Sequence, residues 1–201
     1  MLIKLKFLSI LPLSMILSAC VHSYTSPEYQ KYRASDLKIP TQPFAARIEA
    51  EFFRNGQPLP AVIPQVKRNV VQTLRRTHVI EPSDNAEHTF KISANNVADL
   101  GDAVRKGFGT GLTFGLAGNT VQDNYEVSCS YLDRNKVLHT ENYQHAIAST
   151  VGNASPPAGM LAHPNLNAAF SSVMDDVVIN CLGDLQKTGY LLPQANTQPA
   201  K

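Results

Sequence analysis

The apolar positions of this chain change period along its length, and the changes mark the elements. Over 45–53, Ala46, Ile48, Ala50 and Phe52 alternate with Arg47, Glu49, Glu51 and Phe53, the signature of a half-buried strand. Asn55-Gly56 then supplies a turn. From 59 to 76 the period becomes helical: Val62, Val66, Val70 and Leu74 recur every four residues, Lys67, Arg68, Arg75 and Arg76 lie off that line, and Pro64 fits a first turn. A short strand is expected at Val79-Ile80. Longer ones follow over 88–97 (Phe90, Ile92 and Ala94 on one face), 125–131 (Tyr125, Val127, Cys129 and Tyr131) and 136–151. A Gly/Pro loop is expected over 153–165. An amphipathic helix follows over 167–187, with Phe170, Val173, Met174, Val177, Val178, Cys181 and Leu185 on its apolar side, Asp175, Asp176 and Asn180 away from it, and Gly189 as its stop.

This order predicts an α+β fold: a mostly antiparallel sheet of about four strands with two amphipathic helices packed on one face. A single domain over 44–192 accounts for these elements, with a disordered polar tail over 193–201.

The N-terminus has a different character. Lys4 and Lys6 precede an apolar run from Phe7 to Leu17, and Leu17-Ser18-Ala19-Cys20 follows. This is the order of a secretory signal over 1–19. The run, interrupted by Pro12, is short for a membrane span, which needs ~20 apolar residues. Leu17-Ser18-Ala19-Cys20 resembles the lipobox of bacterial lipoproteins. The resemblance implies that the signal is cleaved and that Cys20 is acylated and becomes the first mature residue; apart from that covalent lipid on Cys20, no cofactor is expected. Val21, where Asp would signal inner-membrane retention, implies the periplasmic face of the outer membrane. Residues 20–43 then read as the lipidated cysteine and a flexible tether, reaching ~25–30 Å on average and ~75 Å at full stretch. The element order is also similar to that of small envelope lipoproteins: the lipopolysaccharide-assembly lipoprotein, auxiliary lipoproteins of lipid-transport ABC systems, and the N-terminal parts of curli-secretion-type lipoproteins.

Loss of the signal changes the charge. The formal +2 includes Lys4 and Lys6, so the remainder has 16 Lys+Arg against 16 Asp+Glu. A neutral chain lacks the clustered positive charge that nucleic acid requires.

Cysteine use fits export. With Cys20 assigned to lipid, Cys129 and Cys181 remain, one on a strand face and one on a helix face. A structural disulfide is expected, with two buried thiols as the alternative. The absence of a Cys-x-x-Cys argues against redox chemistry.

The glycine segment from Gly107 to Leu116 places glycines on one parity and Phe108, Leu112, Phe114 and Leu116 on the other. It reads as a loop that fills the core, as a surface that docks a partner or lipid, or as a membrane-inserted strand. The four apolar residues are the candidate partner contact, with the Pro156-Pro157-Ala158-Gly159 loop second. His139, Glu141, Tyr143 and His145 share one strand face. They are a candidate metal set or acid/base pair, or else an exposed sheet face, which is the plainer expectation; no metal site is assigned. No Gly-x-Ser-x-Gly, His-Glu-x-x-His or Walker motif is present.

These readings point to a non-enzymatic accessory of envelope assembly or transport that acts by binding an envelope protein. A lipid or small-ligand module using a cleft between helices and sheet is the alternative, and a hydrolase of envelope polymers is a third reading.

Overall fold

A computed structural model of the chain describes residues 21–98, 119–151 and 154–192. Chain order gives β1 (Val21–Thr25), β2 (Phe44–Arg54), β3 (Gln57–Pro58), α1 (Ile63–Thr77), β4 (Ile80–Pro82), β5 (His88–Ala98), β6 (Asn119–Asp133), β7 (Lys136–Val151), β8 (Leu161–His163) and α2 (Leu166–Lys187). The sheet runs β3-β2-β5-β6-β7-β1-β8, with β4 pairing β2 in parallel.

The α+β class stands, but the described residues form eight strands where about four were expected. Parallel pairing of β2 with β5 needs a crossover, and α1 supplies it. β5, β6 and β7 then form an antiparallel meander, with β1 beside β7 and β8 outermost. Asn55 (φ 50°) and Gly56 (φ 75°) form the two-residue turn from β2 to β3; two positive φ angles match the right-handed twist of a hairpin.

α1 and α2 cover one sheet face. Ala46, Ile48 and Phe52 of β2, Phe90, Ile92 and Ala94 of β5, and Val127 and Cys129 of β6 are buried there against Val66, Val70 and Leu74 of α1 and Val173, Met174 and Val177 of α2. The opposite face is polar along Lys91, Ser93, Asn95, Glu126, Ser128, Asn142 and Gln144, with Lys91 paired to Glu51 at 2.7 Å.

α2 begins at Asn165, whose side chain accepts the Ala168 N–H at 2.9 Å. It ends at Gly189 (φ 91°), where Tyr190 donates its N–H to the Leu185 carbonyl, the stop the sequence predicted. Unlike the expected amphipathic helix, α2 is buried at every position from Val177 to Gln186. Something covers its second side, and that cover corrects the flexible tether.

From Val21 onward the expected tether is part of the fold. Val21–Thr25 pairs residue for residue with β7, Val21 opposite Val151 and Thr25 opposite Ile147. Residues 27–38 then lie along α2 with two 3-10 turns and no sheet pairing. Backbone of that kind needs other hydrogen-bond partners, and polar side chains of α2 provide them. Asn180 Oδ1 accepts the N–H groups of Lys31 (2.8 Å) and Tyr32 (3.0 Å), and its Nδ2 donates to the Tyr29 carbonyl at 2.8 Å. Gln186 accepts the Lys38 N–H at 2.9 Å and donates to the Lys38 carbonyl. Gly183 leaves room for the strap, since a Cβ there would stand 2.4 Å from the Tyr32 ring. Leu37 anchors the strap in the core.

Two further expectations change. The 153–165 loop contains β8, and β6 begins six residues earlier than expected. Residues 1–20 with the signal and Cys20, the glycine segment with Phe108, Leu112, Phe114 and Leu116, and the 193–201 tail lie outside the described residues. Among the described residues no helix is long and apolar enough to cross a membrane.

Candidate functional site

Where the sheet meets the first turns of both helices, the register places Arg54, Asn96, Tyr125 and His145 in one row across β2, β5, β6 and β7. Beside this row opens a cleft of about 250 Å³. Its floor is aromatic: Phe170 of α2 meets Phe52 edge-on at 6.0 Å between ring centroids and Tyr125 at 5.6 Å. Leu59 and Val62, ahead of α1, add apolar wall, while Arg54, Asn96 and Asp123 line the polar side. Asn96 donates to Asp123 at 3.4 Å.

Burial, and then the Asp123 carboxylate, push the Tyr125 phenol up; Arg54 and Asn96 act in the opposite direction. The phenol therefore stays protonated at neutral pH and can donate but not act as a base. Among its described lining residues the cleft has no His, Cys, Ser or Lys. It can hold an apolar group on aromatic faces and orient a polar one, which is binding chemistry.

The His139, Glu141, Tyr143 and His145 face turns toward α2, which corrects the exposed sheet face. His145 is 2% exposed and tilts against Tyr29 at 4.7 Å. Its Nδ1 lies 2.9 Å from the Ala146 nitrogen and 3.2 Å from the Ala146 carbonyl oxygen, and its Nε2 lies 3.2 Å from Asp176 Oδ2. Tyr143 donates to Asp184 Oδ2 at 2.8 Å, and Lys31 (2.6 Å) and Tyr32 (3.1 Å) donate to Oδ1. Burial alone would raise the Asp184 carboxyl, but these three donors and the Lys31 charge hold it below its ordinary value. His139 sits 3.6 Å from Glu141 and against Tyr190. Six strand residues put it ~20 Å from His145, so the two imidazoles do not share a site. Among the described residues no group of His, Cys, Asp and Glu could hold a metal ion.

Cys129 and Cys181 are bridged, with 6.3 Å between Cα atoms, joining β6 to α2 inside the core. The alternative of two buried thiols is set aside.

The sequence reading missed the docking residues Asn180, Asp184 and Gln186. Their signal was present: polar residues at 180 and 184, one turn apart, beside Gly183 in the otherwise apolar stretch from Val177 to Leu185.

One histidine carries a pH consequence. His163 Nε2 lies 2.8 Å from Thr25 Oγ1, joining β8 to β1. Burial lowers its pKa below the ordinary 6.5, with Asp176 opposing. The unfolded chain therefore takes up this proton first, so stability is lost as pH falls from about 6.5 through the lower folded value. The Asp184 contribution has the same sign but is lost only as pH falls from 3.8 through its own lowered value. The urea midpoint is expected to fall between pH 7.5 and 5.5, and to fall less in His163→Gln. Equal drops in the two proteins would contradict this.

No protein-family model matches the chain, and no curated protein matches its sequence. Solved structures resemble it weakly. A protein from Helicobacter pylori described provisionally as a neuraminyllactose-binding hemagglutinin homolog shares 9% identity at a TM-score of 0.40, covering 76% of this chain and 90% of that one. A DUF330-family protein from Xanthomonas campestris shares 11% at 0.35, over 76% and 93%. The PelC dodecamer from Paraburkholderia phytofirmans shares 12% at 0.33, over 84% and 97%.

Proposed function

We propose that this chain is a lipoprotein of the bacterial envelope, acylated at Cys20 on the periplasmic face of the outer membrane, that works as a non-enzymatic accessory by binding an envelope partner. The carrying observation is that β1 begins at Val21, directly after the cysteine of Leu17-Ser18-Ala19-Cys20. Binding is favoured over catalysis because the strand imidazoles lie ~20 Å apart and His145 is sealed under α2. Phe108, Leu112, Phe114 and Leu116 remain the proposed partner contact; in sequence they lie between β5 and β6, outside the described residues.

A second reading, a lipid or small-ligand module, is favoured by the cleft between the helix starts and the sheet, with its aromatic floor and the Arg54 guanidinium beside it.

The test is the N-terminal peptide of protein made in a Gram-negative cell. Mass spectrometry should find acylated Cys20 as the first residue, and Cys20→Ser should release the protein from the membrane fraction. A mature N-terminus elsewhere, with soluble protein, would overturn the reading.

A further inference from the structure

We infer that the lipid holds the domain end-on, with the uncharged ends of β6, β7 and β1 against the bilayer surface and the β6–β7 hairpin directed away from it. This rests on acylation at Cys20. Cys20 is bonded directly to Val21, and one residue of chain spans at most ~3.6 Å. Val21 pairs with Val151, and Val151 pairs with Asn119, so the attachment point lies level with the ends of three adjacent strands. At ~4.8 Å per strand, the start of β6 is ~10 Å from the anchor.

The two ends of these strands differ in charge. Residues 21–23, 119–122 and 149–151 contain no Asp, Glu, Lys or Arg. The far hairpin carries Asp133, Arg134 and Lys136, with Glu87 paired to Arg134 at 3.1 Å. Bringing an end against headgroups removes water from it, which is costly for charges and cheap for residues such as Thr120 and Val151. The attachment and the charge distribution thus select the same end. Val137, fourteen residues from Val151 along β7 and 55% exposed, then stands ~45 Å along that strand from the anchored end.

The chain contains no Trp, so single tryptophans can report depth. Thr120→Trp and Val137→Trp, in residues 20–201 and therefore with the whole described fold, are coupled through Cys20 to a maleimide lipid in phosphatidylcholine vesicles containing brominated lipid. Cys20 is the free thiol because Cys129 and Cys181 are bridged. Quenching several-fold stronger at Thr120→Trp is expected, and Gln122→Trp replaces it if that variant does not fold. Equal quenching at both ends, or stronger quenching at Val137→Trp, would overturn the orientation. Chemical coupling makes this result independent of whether cells acylate Cys20, which the N-terminal mass decides separately.

Discussion

Replacing Cys129 and Cys181 together with Ala should lower the unfolding free energy by about 4 kcal/mol. The bond closes a loop with a sequence separation of 52. In the chain-entropy view a loop of that length restricts the unfolded ensemble by ~4 kcal/mol. Domains of this kind have ~5–15 kcal/mol in total, so the loss is a large share. For this size it corresponds to a Tm shift on the order of 10 °C. Both sulfurs are buried between β6 and α2. Ala leaves no unpaired hydroxyl there, as Ser would. Urea unfolding of the oxidised protein, the double variant and the protein unfolded in the presence of reductant provides the check. The last two should agree, well below the first. A loss under about 1 kcal/mol would show that the bridge contributes little beyond the packing around it.

Asn180→Ala should cost about 2–3 kcal/mol, although the residue is neither catalytic nor apolar. Three hydrogen bonds end on this 2%-exposed amide. Each contributes ~1 kcal/mol, and an unpaired buried backbone group costs ~1–3 kcal/mol. Against this, Ala is the better helix former by at most ~0.7 kcal/mol. The strap can limit the loss by lifting off α2 and hydrating its backbone, which gives the variant a second signature. Trypsin should then cut after Lys31, Arg33 and Lys38 under native conditions faster than in the parent protein. Destabilisation without faster cutting at these sites would mean that Asn180 acts within the helix rather than through the strap.

The elements legible in the sequence were those whose apolar period matches their burial. β2, β5 and the apolar side of α2 show it, as does the alternation that placed Cys129 on the core face. The missed elements are those whose buried positions are polar. In β1, Ser23 and Thr25 are 0% and 1% exposed, yet they read as linker because their partners, Ser149 and His163, are also polar. The first residues of β6 alternate Thr120, Gln122 and Asn124 outward against Val121 and Asp123, too weak a contrast to mark a strand. The strap has no period because side chains of α2, not a sheet, satisfy its backbone. His145 and Tyr143 looked like surface chemistry for the same reason: periodicity finds apolar burial, and polar burial depends on partners far away in sequence. The cleft was expected only in outline. Its row of Arg54, Asn96, Tyr125 and His145 depends on a strand register that no local pattern contains.

The central claim is that the chain immediately after Cys20 belongs to the fold and gives the anchor no slack. Hydrogen exchange at the Lys31 and Tyr32 amides of the chain from Cys20 tests it most directly. These amides donate to the buried Asn180 side chain, so both should exchange orders of magnitude more slowly than an unstructured peptide. Exchange at the unstructured rate would mean that residues 21–43 are a tether after all.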